Sequence, residues 1–123
     1  MLAADLEALH ALTGDADLFI DENGEKINGQ WNGVSPNEHD IITGSDTTGS
    51  LLMGEMNSTC EDWTSNTLTV GPQVGHTDGL GPNMGMMVPN HTSWNGGHGA
   101  AGCSTELLAM RGSAGRFYCF AAN

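Results

Sequence analysis

The sequence predicts an α+β fold with little helix, short irregular antiparallel strands and long glycine-rich loops. Three observations carry that expectation: a leucine stripe of helical period at the N terminus, a few short apolar runs bounded by turn residues, and 18 glycines in 123 residues. That share of glycine is about twice the usual one. The stripe is Leu2, Leu6, Leu9 and Leu12, one face of a 3.6-residue period, so residues 2–12 read as a short helix with Gly14 as its stop. Residues 18–28 read as a hairpin: Leu18-Phe19-Ile20 leads in, Asn23-Gly24 supplies the positive φ angles of a tight turn, and Lys26-Ile27 leads out. Ile41-Ile42 and Leu51-Leu52-Met53 are expected as short buried strands, and Thr67–Val70 as another. Arg116–Ala121, alternating around Phe117 and Cys119, is expected as a final buried strand.

The length suits one domain spanning 1–123. Hydrophobic residues make up 38% of it, against the usual share of about 45–50%. Glycine adds no side chain to a core and loses the most backbone entropy on folding, so a covalent staple would help. Three cysteines in an oxidising compartment supply one bridge and one leftover thiol. The net charge is −12, with Lys26, Arg111 and Arg116 as the cations. Such a surface repels phosphate backbones and anionic lipid, which argues against nucleic-acid partners. No apolar run approaches the roughly 18 residues of a membrane span, so membrane insertion is not expected. Met1–Leu12 lacks a basic start and carries Asp5 and Glu7, unlike a signal peptide; an exported form would be a mature chain or an excised domain.

Residues 71–102 hold nine glycines and three prolines. A structureless loop of that length is uncommon, so this one is expected to be functional or pinned by side chains such as Met84, Met86, Met87 and Trp94.

An ordered set of short elements carries a resemblance. Thr43-Gly44-Ser45-Asp46-Thr47-Thr48-Gly49 precedes Cys60-Glu61-Asp62-Trp63-Thr64-Ser65. Then come Thr92-Ser93-Trp94-Asn95, Gly102-Cys103-Ser104 and the ending Gly115-Arg116-Phe117-Tyr118-Cys119-Phe120. Over about residues 41–120 this resembles the bacterial endostatin-like domain of spirochaete surface lipoproteins and, more distantly, collagen-derived endostatin; both are variants of the C-type lectin fold. The resemblance implies two nested bridges. The inner one maps onto Cys60 and Cys103. The outer one would join a cysteine of the first helix to Cys119, but residues 2–12 contain none. Cys119 is then expected as an unpaired thiol buried in its strand, with an intermolecular bridge or a partner in a preceding segment as the alternatives. A Cys60–Cys103 bridge closes a loop of about 43 residues around the glycine-rich stretch, worth on the order of 3–4 kcal/mol in the chain-entropy account.

Catalytic motifs are weak. Gly112-Ser113-Ala114-Gly115 is one residue off a nucleophile elbow, Cys119 sits mid-strand among aromatics, and paired acids are unavoidable in so acidic a chain. No enzymatic activity is expected. His76, Asp78, His91 and His98 fall in one region, but no pair has helical i, i+4 spacing and there is no Cys-x-x-Cys; they are expected as solvent-facing loop residues. Endostatins can bind zinc near their N terminus, an element without a match here. The sugar-chelating calcium loop of the lectin fold is incomplete: Trp94-Asn95-Gly96 lacks its aspartate, Pro36-Asn37-Glu38 is in the wrong order, and Gly81-Pro82-Asn83 lacks the acid. Calcium fits better as a structural ion held by carboxylates and loop carbonyls. Trp63 and Trp94 are expected as core anchors beside the disulfide. Trp31, within Gly29-Gln30-Trp31-Asn32-Gly33, is the surface contact candidate, with Trp94 and Asn95 as further candidate ligand contacts. Asn57 and Asn90 fit the N-glycosylation acceptor, a frequency that chance supplies in a chain with ten asparagines.

The expectation is therefore an extracellular or cell-surface adhesion or assembly module that binds an extracellular protein or polysaccharide. A self-assembling protomer of a surface layer or filament is the second class. A calcium-dependent lectin is the third.

Overall fold

A computed structural model of the chain has a mixed α+β architecture. The structure describes residues 2–54, 58–67, 69–81 and 91–120. In chain order the elements are α1 (Leu6–His10), β1 (Asp40–Ile42), α2 (Cys60–Trp63), β2 (Gln73–His76), β3 (His98–Gly99) and α3 (Thr105–Ala109). The strands form one antiparallel sheet in the order β1-β2-β3. Asp40 faces His76, Ile42 faces Val74, and Val74 faces His98 across the ladder. One sheet face therefore carries Asp40 and His76 in one row and Ile42, Val74 and His98 in the next.

The helices are short because their signals are short. Asp5 caps α1 by accepting the Ala8 N–H at 2.8 Å, and Ser104 caps α3 by accepting the Leu107 N–H at 3.3 Å. Helix α1 covers only part of the predicted 2–12 span, and Leu6 of its stripe is exposed. It is held to the core near its end, where the Trp94 indole donates to the Leu9 carbonyl at 2.8 Å and His10 stacks on Trp94 and bonds Asn95. The hairpin at 18–28 reduces to its turn. Ile20 bridges Lys26, Asp21 N–H bonds the Glu25 carbonyl at 2.8 Å, and Gly24 takes a φ of 80°.

The buried apolar cluster is Ile42, Val74, Ala100 and Leu108. A second layer is aromatic: Phe19 stacks on Trp94 at 5.8 Å, and Tyr118 meets Trp94 edge-on at 5.1 Å. Gly75 is required here, since a Cβ at that position would collide with the Trp94 carbonyl that crosses β2.

Three expectations are corrected. Leu51–Met53 is not a buried strand: Leu51 and Met53 are exposed, and a single bridge, Ser45 to Leu51, closes a turn organised by Asp46. Residues 116–120 are extended but not buried. Among the described residues they meet the sheet through one bridge, Phe117 to Ile42, the last residue of the three-residue β1. Phe117, Cys119 and Phe120 are consequently exposed, and Cys119 is a free surface thiol rather than a buried one. Finally, residues 71–102 are not one loop, since β2 and β3 lie inside them.

The disulfide joins Cys60 to Cys103 with their Cα atoms 5.8 Å apart. It anchors a left-handed turn: Cys60, Glu61, Asp62 and Trp63 have φ values of 51°, 56°, 54° and 66°. A left-handed turn of L residues is held at a cost of roughly 1–2 kcal/mol per residue. Asp62→Gly should therefore raise stability by about 1 kcal/mol, read as a higher urea midpoint at unchanged m-value. An unchanged or lower midpoint would show that no strain resides there.

Candidate functional site

The end of the sheet gathers a buried histidine–aspartate cluster. Asp40 opens β1, His76 closes β2 and His98 opens β3; antiparallel register pairs Asp40 with His76 and sets His98, opposite Val74, diagonally beside them on the same face. His39 precedes the strand and joins the same group. Asp40 and His76 are fully buried, His39 is buried, and the His98 side chain is 20% exposed.

The imidazole Nε2 atoms converge on one carboxylate. His39 Nε2 lies 3.2 Å and His76 Nε2 3.3 Å from Asp40 Oδ1; His98 Nε2 lies 3.5 Å from Asp40 Oδ2. The ring planes of His39 and His76 are stacked at 4.7 Å, and His98 meets His76 edge-on at 4.9 Å. Each opposite ring nitrogen has its own partner. His76 Nδ1 lies 2.7 Å from the His91 carbonyl, and His98 Nδ1 lies 3.0 Å from the Gly99 carbonyl. Carbonyls only accept, so both Nδ1 atoms carry the proton and both Nε2 atoms present bare lone pairs. His39 Nδ1 sits 2.7 Å from Asp78 Oδ1. Asp78 also accepts the Leu80 N–H at 3.0 Å and the Trp31 N–H at 3.3 Å. Burial would push the Asp78 carboxyl up, but these hydrogen bonds outweigh it and hold it below the ordinary range. As a carboxylate, Asp78 fixes the His39 tautomer in the same sense.

Electrostatics single out Asp40. Among the described residues, neither of its oxygens has a hydrogen-bond partner, and neither does His76 Nε2. Burial drives the Asp40 carboxyl up to about 7, against the opposing pull of His39. Burial drives the His76 imidazole down to about 4, and it lowers His98 as well. Lone pairs therefore face the Asp40 carboxyl across 3.2–3.5 Å, and once that group is ionised no hydrogen is left to share. A proton or a metal cation is what such an arrangement can accept. Among the described residues, His39, Asp40 and His76 form a group with ligand atoms all within 4.8 Å of one another.

The expectation of solvent-facing histidines is thus corrected. His76 is buried in a strand, Asp78 is buried beside it, and His91 and His98 are half-buried. His39 and Asp40 were not singled out by the sequence. The available signal was His39-Asp40 directly before Ile41-Ile42, which places a donor pair at the end of a predicted strand.

The second feature is a surface groove of about 410 Å³. Its walls include Trp63, Phe117 and Phe120, which are 47%, 57% and 52% exposed. Thr43, Ser45 and His10 give it polar groups. Trp63 and Phe117 meet edge-on at 5.6 Å. Trp63, expected as a core anchor, is placed outward by the left-handed turn of α2. Trp94 and Asn95 are buried at the base of the groove. Asn95 is bonded to Ser93 and His10, and its carbonyl accepts the hydroxyls of Thr43 and Ser45. Trp31 is exposed but does not line the groove; Lys26 lies 4.9 Å over its ring, and its indole donates to the Ile27 carbonyl. Asn57 and Asn90, like Met84, Met86 and Met87, lie outside the described residues. Among the described residues no helix is long and apolar enough to cross a membrane.

No protein-family model matches the chain, and no match was found among curated proteins or solved structures.

Proposed function

We propose that this chain is a non-enzymatic extracellular adhesion module, with an endostatin-like variant of the C-type lectin fold, that binds a neutral polysaccharide in the aromatic groove. The exposed trio Trp63, Phe117 and Phe120 over a hydroxyl-bearing floor carries the reading. Aromatic faces take up the C–H faces of sugar rings, and a few fixed polar groups set orientation. Charge narrows the ligand further. A chain of net charge −12 disfavours sulfated or uronic-acid polymers, and no acidic or basic side chain other than His10 lines the groove among the described residues. The histidine–aspartate cluster is too deeply buried to touch such a partner. The disulfide suits an oxidising compartment.

The test is a neutral-glycan array followed by calorimetry. Trp63→Ala and Phe117→Ala should each weaken binding about tenfold, the worth of about 1.4 kcal/mol of stacking, while leaving the melting temperature nearly unchanged because both rings are exposed. Absence of any neutral-glycan hit would sink the reading. Loss of binding on EDTA, restored by calcium and not by zinc, would turn it towards a calcium-dependent lectin. A second reading, a self-assembling protomer, is favoured by the free thiol of Cys119 between exposed Phe117 and Phe120 on a segment with a single ladder contact. Light scattering separates the two: a strict monomer at high concentration rules out self-assembly.

A further inference from the structure

We infer that His39, Asp40 and His76, with His98 closing the set, form a zinc-binding centre that cross-links the three strands of the sheet. This goes beyond the surface-binding reading and does not depend on it.

Geometry comes first. Zinc bonds imidazole and carboxylate at about 2.0–2.2 Å, so neighbouring ligand atoms in a tetrahedron stand about 3.3 Å apart. His39 and His76 Nε2 stand 3.2 and 3.3 Å from the Asp40 oxygen, and His98 Nε2 stands 3.5 Å from the other oxygen. The second argument is the outward bonding of each ring. Zinc-ligating histidines hold the far nitrogen to a carboxylate or a backbone carbonyl, which fixes the tautomer and aims the lone pair. Here all three do so, through Asp78, the His91 carbonyl and the Gly99 carbonyl. The third is the unmet demand inside. Asp40 and His76 are fully buried, and their inward atoms have no hydrogen-bond partner among the described residues. Buried polar atoms without partners are rare because each costs free energy, and a cation at this point would satisfy all of them at once.

The donor set selects the metal class. Three imidazole nitrogens and one carboxylate suit zinc and its transition-metal neighbours, whereas calcium takes six to eight oxygens. The ligand atoms of His39, Asp40 and His76 already lie within 4.8 Å of one another; with His98 drawn in from its place beside the other Asp40 oxygen, protein fills the tetrahedron, as in a structural zinc site. Asp78 is a positioning residue: it holds His39 without reaching the centre itself.

The full chain, stripped with chelator and dialysed, is titrated with zinc chloride, and cobalt(II) is used as a spectroscopic probe. The expected result is one zinc per chain, an intense tetrahedral cobalt absorption, and a melting temperature raised by about 10 °C at hundredfold excess over Kd. His98→Gln, at the least buried ligand, should weaken zinc at least 100-fold while the protein stays folded without metal. Asp78→Asn should weaken it 10–100-fold and leave the cobalt spectrum tetrahedral. Millimolar calcium should not displace the zinc. Absence of stoichiometric uptake would overturn the proposal, as would octahedral cobalt or affinity indifferent to both substitutions. A carbonyl stretch in the infrared showing Asp40 protonated at pH 6.5 in the presence of excess zinc would also overturn it, because the cluster would then hold a proton in place of the metal.

Discussion

Asp40→Asn should stabilise the metal-free protein at pH 8 by on the order of 4 kcal/mol, and the gain should fade as the pH falls towards 4. The sign follows from the direction of the shift. Burial lifts the Asp40 carboxyl to about 7, from an ordinary value of 3.8. The folded state then holds the proton more tightly than the unfolded chain does. Stability is fully present below the unfolded value, is lost as the pH rises through the folded one, and levels off above it. About three units at 1.36 kcal/mol each set the magnitude. Asparagine is a neutral isostere of the protonated acid and escapes the loss. His76 works in the opposite direction. Its imidazole falls to about 4 from 6.5, so its contribution is complete above 6.5 and is lost as the pH drops towards 4. In the native chain the two effects oppose each other between about pH 4 and 6.5, and the Asp40 loss alone remains above that. Urea melts in EDTA at pH 5 and pH 8 give the difference. With zinc present the sign should reverse, because the substitution removes a ligand. A native-to-variant difference that is the same at both pH values would show that Asp40 is not held uncharged by its surroundings.

Replacing both bridged cysteines, Cys60→Ala with Cys103→Ala, should cost on the order of 3–4 kcal/mol. The closed loop separates the cysteines by 43 residues and contains the glycine-rich stretch, whose unfolded chain has the most freedom to regain. A second effect is local. The left-handed turn at Cys60–Trp63 is held by that bridge, and without it the four residues can relax to right-handed φ values. Trp63 then leaves the groove wall. Glycan affinity should fall together with stability, even at low denaturant where the protein remains folded. A double variant with native stability would show that the bridge constrains little. One with native glycan affinity would show that Trp63 is held by other contacts.

Much of the frame was legible in the sequence because it rests on local chemistry. Asn23-Gly24 marks a turn, in which Gly24 takes the positive φ and Asp21 accepts the Asn23 and Glu25 N–H groups, and the leucine stripe at 2–12 locates a helix, though not its ends. Ile41-Ile42 reads as buried in either notation. What the sequence concealed depends on distance. Nothing near Phe117 reveals that the strand it meets is only three residues long, so an alternating apolar ending reads as buried when it is exposed. Trp63 beside a cysteine reads as a core anchor, but its outward placement is a property of four consecutive φ angles that no residue type there announces. The histidines posed the same difficulty. Metal-site patterns are recognised by helical or knuckle spacing, whereas residues 39, 40, 76 and 98 become neighbours only through antiparallel register.

Cys119 offers a practical opening. It is the one thiol left when Cys60 and Cys103 are bridged, it is exposed, and it flanks the groove without lining it. A maleimide fluorophore would therefore attach at a single defined position beside Phe117 and Phe120. The chain thus carries a ready-made handle for reporting, by a change in emission, what enters the groove.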